Sequence, residues 1–193
     1  MNKRASSILA YILSSLFLGI TLLGMSSHAF AAGYGVSVAS GYGAANIVPL
    51  RVGFQKNFDK RWCPDAKWPV SGYWEGSLYA MKGQRGGSPD SNRRLNAVAL
   101  AGVFRFERAK ESMVGWPYIE LGVGFSWLSR REIGGRNLGM RFQFEDRFGV
   151  GVCFGKNREY DLGYKAVHFS NAYMGSDNHG INLHLITLGY WFR

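Results

Sequence analysis

Beyond residue 31 the chain has no apolar run of helical length, yet large apolar side chains recur at every second position. Residues 139–154 show this best: Met140, Phe142, Phe144, Phe148, Val150, Val152 and Phe154 share one parity, while Arg141, Gln143, Glu145, Arg147, Gly149 and Gly151 share the other. Asp146 is the only charge on the apolar side. Residues 117–128 repeat the pattern, with Ile119, Leu121, Val123, Phe125 and Trp127 against Glu120, Gly122, Gly124 and Ser126. A period of two sorts side chains onto opposite faces of a pleated strand, whereas a helix needs a period of 3.6. Eight such stretches, bounded by Gly, Pro, Asn and Asp, are read at 33–42, 46–58, 72–82, 95–108, 117–128, 139–154, 159–170 and 181–192.

The fold turns on where the apolar face points. A soluble sandwich buries it against a second sheet, and a lipocalin-like barrel turns it inward. A membrane barrel turns it to lipid and closes the polar face around a lumen. With 15% aromatic residues and 26 Gly, the chain carries more large rings on one face than a small interior can fill. Arg or Lys on the lipid face costs about 2–4 kcal/mol at mid-bilayer, so the charged face belongs inside. That predicts an all-β fold, an eight-stranded antiparallel transmembrane β-barrel of the bacterial outer membrane. Its lumen is expected to hold Arg51, Glu75, Arg105, Glu107, Glu120, Arg141, Glu145 and Arg147, an ion-paired plug and not an open pore.

The N-terminal segment fits this destination. Lys3 and Arg4 precede an apolar run from Ile8 to about Met25, and Ala29-Phe30-Ala31 forms an A-x-A cleavage site. Residues 1–31 therefore read as a cleaved signal peptide and 32–193 as the barrel domain, the alternative being a retained membrane helix. With both termini in the periplasm, the outer loops are 43–45, 83–94, 129–138 and 171–180, and the long connection 59–71 falls on the periplasmic side. The formal charge of +10 is concentrated in part on two of those loops, through Arg85, Arg93 and Arg94 and through Arg130, Arg131 and Arg136. An exported barrel does not meet nucleic acid. The anion it meets is lipopolysaccharide phosphate, which arginine binds bidentately; the alternative is a set of solvated loop charges. Cys63 and Cys153 lack metal-ligand spacing and are expected to be bystanders; no metal or organic cofactor is expected.

The segment "AVHFSNAYMGSDNHGIN", residues 166–182, carries the candidate chemistry. Leu162, Tyr164, Ala166, His168 and Ser170 share one face; Asp161, Gly163, Lys165, Val167 and Phe169 share the other. Since Asp161 and Lys165 belong in the lumen, His168 and Ser170 face lipid near the outer leaflet. Residues two apart on one strand face are about 7 Å apart at the backbone, within reach of a general base and a nucleophile. Spacing alone leaves a second reading open, an interfacial His and Ser bonded to headgroups.

His168-Phe169-Ser170-Asn171-Ala172, followed by Asn178-His179-Gly180-Ile181-Asn182, resembles the motif of the outer-membrane lipid A 3-O-deacylases, the PagL or acyloxyacyl hydrolase-like family. Phe144-Glu145-Asp146-Arg147-Phe148-Gly149-Val150-Gly151 is similar to the Gly-rich strand that precedes that motif. The resemblance implies hydrolysis of the acyl ester at the 3 position of lipid A, with Ser170 as nucleophile and His168 as base. It also places the family's third, acidic member at Asn182, here an amide. Asp177 and Glu145 are the other acids to consider, and His184 follows Asn182 on the same face. Backbone N–H groups of Asn171 and Ala172 are candidates for the oxyanion hole, with Tyr173 where the family often has Gly. Acyl chains are expected along Leu162, Tyr164, Ile186 and Leu188. The rival readings are a non-catalytic structural barrel and a different outer-membrane lipid hydrolase or acyltransferase.

Overall fold

The computed structural model describes residues 33–83 and 93–192; the expected signal peptide at 1–31 and Arg85 lie outside the described residues. In chain order the strands are β1 (Tyr34–Gly43), β2 (Val48–Asn57), β3 (Val70–Lys82), β4 (Arg94–Glu107), β5 (Trp116–Leu128), β6 (Glu132–Ile133), β7 (Arg136–Asn137), β8 (Phe142–Phe154), β9 (Tyr160–Ser170) and β10 (Ile181–Trp191). The eight long strands close into one antiparallel barrel in the order β1-β10-β9-β8-β5-β4-β3-β2, and β6 and β7 form a separate small hairpin. Closure through the β1–β10 pairing leaves no edge unpaired among the eight barrel strands, a requirement for any sheet in hydrocarbon.

The alternation read from the sequence is followed along most of the wall, β1 being buried throughout Ser37 to Gly41. Outward positions such as Phe54, Trp74, Leu100, Val123, Phe148 and Ile186 are exposed, while Glu75, Glu120 and Lys165 are buried. An apolar outside around a charged inside is the membrane-barrel pattern. The largest boundary change is at β8, which begins at Phe142 instead of Gly139. Gly139 adopts a left-handed φ of 72°, and the Gln143 amide donates to the carbonyls of Leu138 and Met140 at 3.1 and 2.8 Å, so 138–141 bend instead of extending. Arg141, expected in the lumen, consequently sits exposed on that bend.

The interior is layered. Arg51, Arg105, Arg147 and Lys165 pair with Glu75, Glu120, Glu145 and Asp161 in a buried belt. Nearer the loops, however, the barrel is filled by Leu95, Leu128, Phe169, Ile181, Leu183 and Leu185, sealed by Ile133 and Leu138 from the β6–β7 region. The expected ion-paired plug is therefore only the middle of the lumen, under an apolar cap. At the end near the termini, Tyr73 packs edge-on against Trp191. Gly151 and Gly163 lack a Cβ where the Tyr118 hydroxyl lies on its way to Asp161, 2.5 Å distant. Both cysteines are free, Cys63 exposed and Cys153 buried.

The long connection between β2 and β3 folds back on the outside of the wall. Trp62 bridges to Val70, and the rings of Phe58 and Trp62 pack on Trp74 and Phe104 with centroids 5.5 to 5.8 Å apart. Its length thus serves an aromatic buttress at the barrel end that holds the termini. Trp62→Ala is expected to lower unfolding free energy by about 1–2 kcal/mol through lost ring contacts. Urea unfolding in detergent micelles measures this, and an unchanged midpoint would mean the buttress is ornamental.

Candidate active site

Strand β9 alternates Lys165, Val167 and Phe169 inward with His168 outward, so the buried belt and cap fix the direction of the imidazole. The register then sets His168 opposite Asn182 of β10 on one side and Asp146 of β8 on the other. His168 Nδ1 is 2.5 Å from Asn182 Oδ1. With the amide oxygen as acceptor, Nδ1 carries the proton and Nε2 keeps its lone pair, the tautomer a general base requires. Gly180, at a φ of 56°, covers the Cε1 edge of that ring, where an added Cβ would stand 3.1 Å away.

Ser170 is the last residue of β9 and pairs with Phe144. The chain turns sharply after it: Ala172 and Tyr173 both take left-handed φ values, 51° and 61°, and Met174 N–H donates to Asn171 O at 3.0 Å. Tyr173 thus occupies a conformation that glycine adopts more cheaply, a local strain of about 1 kcal/mol. The bend leaves Ala172 exposed beside Ser170. Asn171 is fully buried beneath, its amide donating to Leu138 O and Asp177 O at 2.9 and 2.6 Å. Its backbone N–H donates to Asn178 Oδ1 at 3.0 Å. Of the two oxyanion candidates, Asn171 is therefore already engaged as a brace, whereas Ala172 N–H has no hydrogen-bond partner among the described residues. Ser170 Oγ likewise makes no hydrogen bond among the described residues; such contacts commonly tighten only when substrate arrives.

The β6–β7 hairpin, missed in the loop read at 129–138, holds this turn. Arg136 donates from Nε to Gly180 O at 2.9 Å and from Nη2 to His179 O. Asn137 Nδ2 donates to Asp177 Oδ2 at 2.6 Å. Arg136 therefore grips backbone carbonyls, and Asp177 answers Asn137 and not His168. Glu145 faces inward and pairs with Arg147, so neither alternative acid reaches the imidazole. His184 is tied to Tyr164, with Nδ1 2.6 Å from the phenol oxygen, and stacks on Tyr42. Arg93, Arg94, Arg130 and Arg131 are exposed at the same end of the barrel. Arg136→Ala frees the two carbonyls that hold the turn and is expected to lower turnover about tenfold. A kcat and KM comparison checks this: a rise in KM alone would favour substrate contact over bracing.

A groove on the outer wall runs from Ser170 and Ala172 past Asp146 to Phe144, Phe125, Leu100 and Trp74. The acyl path expected along Leu162, Tyr164, Ile186 and Leu188 lies on the other side of His168. The site is thus a polar row, His168 with Asn182, set beside Ser170 at the end of an apolar channel. That arrangement suits attack on an ester whose chain stays in lipid.

Comparison with known proteins points to one family. The family model described as lipid A 3-O-deacylase (PagL) matches residues 49–191. The lipid A deacylase PagL of Pseudomonas aeruginosa is 32% identical over 146 residues, 76% of this chain and 79% of that protein. The lipid A deacylase PagL of Bordetella bronchiseptica is 33% identical over 75 residues, 39% of this chain and 41% of that one. The crystal structure of the outer membrane enzyme PagL superposes with a TM-score of 0.72 at 29% identity, covering 81% of this chain and 98% of the other.

Proposed function

The chain belongs to the lipid A 3-O-deacylase (PagL) family, and we propose that it hydrolyses the ester-linked acyl chain at the 3 position of lipid A, from within the outer membrane, with Ser170 as nucleophile and His168 as base. The observation that carries the reading is the His168–Asn182 bond beside Ser170 on the lipid-facing wall. Export through the segment 1–31 puts the enzyme with its substrate, which stays in its leaflet throughout.

Lipid A lies against β8 to β10 with the 3-acyl chain in the groove past Phe144 and Phe125. Ser170 Oγ attacks the ester carbonyl as its proton passes to His168 Nε2. The oxyanion is met by Ala172 N–H, and by Asn171 N–H if it exchanges its bond to Asn178. His168 then protonates the sugar oxygen as its bond to the acyl carbon breaks, so that it leaves as a hydroxyl, and the acyl group remains on Ser170. Water, deprotonated by the same imidazole, releases the fatty acid. The exposed arginines at 93, 94, 130 and 131 offer charge to the lipid A phosphates, while Arg136 orders the turn.

Mass spectrometry of lipid A from outer membranes with and without the chain tests this. Loss of one 3-hydroxyacyl mass supports the deacylase. A gained acyl chain would make it a transferase, altered glycerophospholipid alone would make it a phospholipase, and no change in any lipid would favour a structural barrel.

A further inference from the structure

Asp146 is the one charge on the outward face of β8, flanked there by Phe144 and Phe148 and paired across to Val123 of β5. A carboxylate in an apolar wall is costly and marks function by default. Among the described residues no Lys or Arg forms an ion pair with it. Its other cross-strand partner is His168. The imidazole therefore stands in a row of three exposed polar residues, Asp146 on β8, His168 on β9 and Asn182 on β10.

The division of labour follows from charge. Asn182 orients Nδ1 but is neutral, so it leaves the imidazolium uncompensated once Nε2 has taken the serine proton. The other ionisable groups nearby are committed: His184 to Tyr164, Glu145 to Arg147, Asp177 to Asn137, and His179 Nδ1 to the N–H of Asn137 at 3.3 Å. Asp146 alone remains, with its Cβ at the cross-strand spacing of about 5 Å from that of His168. It also borders both wall depressions, the one with Ser170 and the one with His168, Asn182 and His184. No hydrogen bond or ion pair joins the two groups at rest, but with apolar Phe144 and Phe148 flanking the carboxylate the imidazolium would feel it more strongly than in bulk water.

Resting on the deacylase reading above, we infer that Asp146 is the charge partner of His168: Asn182 orients the ring and Asp146 neutralises it, two residues on opposite flanks sharing what a single carboxylate would do. Asp146 acts through the imidazole and is a positioning residue.

Two rates on the full chain in detergent micelles test this: labelling of Ser170 by a fluorophosphonate, in which the serine oxygen displaces fluoride and the proton goes to His168, and release of fatty acid from lipid A. Asp146→Asn is expected to slow both about 100-fold, and the double variant Asp146→Asn with Asn182→Glu to regain at least tenfold of each, because the carboxylate returns on the opposite flank. A purely structural role for Asp146 would not be rescued from another strand. Labelling of Asp146→Asn at the parent rate, with or without slower lipid A release, overturns the inference, as does a double variant no faster than Asp146→Asn. Labelling that follows the expected order while lipid A stays intact removes the substrate reading and keeps the charge partner. A parent whose serine does not label at all removes both.

Discussion

Ser170→Ala is expected to leave lipid A fully acylated while the barrel assembles as before. On the proposed mechanism the substitution removes the nucleophile and with it the covalent route, and in serine hydrolases that costs about 10⁴-fold or more in turnover. Folding is spared for a stated reason: Ser170 ends β9, is half-buried, and its hydroxyl has no hydrogen bond to lose among the described residues. His168→Ala should be as inactive, and the double variant no worse than either, because nucleophile and base act as one unit. Asn182→Ala should fall between them and the parent, since the ring loses its tautomer lock and not its lone pair. Lipid A mass spectra at matched abundance, with heat-modifiable gel migration as the check on folding, provide the measurement. Full deacylation by Ser170→Ala would show that the serine is not the nucleophile and that another group on this wall is.

The barrel was legible in the sequence because alternation is a local signal: once Phe144 points out, Glu145 must point in, whatever the neighbours do. His168, Ser170 and Asn182 could be placed on one face for the same reason. What could not be read was register. That Asp146 stands opposite His168 depends on how β8 slides against β9, which no pattern within either strand fixes; its oddity as a lone charge was visible, its neighbour was not. The apolar cap escaped for a related reason. Inward residues such as Phe169, Leu183 and Leu185 alternate with the outward polar residues His168, Ser170, Asn182 and His184, so the apolar-out, polar-in pattern that reports the lumen is reversed there. The β6–β7 hairpin was too short to show a period at all, and with it went the role of Arg136.

Glu75→Leu is expected to be the most damaging single change inside the barrel. Glu75 is fully buried and meets two guanidiniums, Arg51 and Arg147, besides accepting from Gln55 Nε2 at 2.7 Å and from Ser77 Oγ at 3.0 Å. Arg147 keeps Glu145, but Arg51 is left with only the hydroxyls of Tyr79, Ser77 and Ser37. Removing one partner of a buried pair typically costs about 3–5 kcal/mol, most of it the desolvation of the charge left behind. The compensated variant Arg51→Met with Glu75→Leu should therefore recover most of the loss, because a buried pair replaced whole by apolar groups is often neutral. Glu107, whose pair with Arg158 is partly exposed, is the contrast: Glu107→Ala should cost about 1 kcal/mol or less. Urea midpoints in micelles rank the three, and equal midpoints for Glu75→Leu and Glu107→Ala would mean that the belt is not what holds the wall. The belt also reaches the chemistry. Arg147 is the inward neighbour of Asp146 on β8, and Lys165, three residues before His168 on β9, pairs with Glu120 inside. These pairs tie β8 to β3 and β9 to β5 across the middle of the lumen, directly behind the wall that carries the outer row of Asp146, His168 and Asn182. A belt variant that still assembles should lose turnover before it loses the barrel.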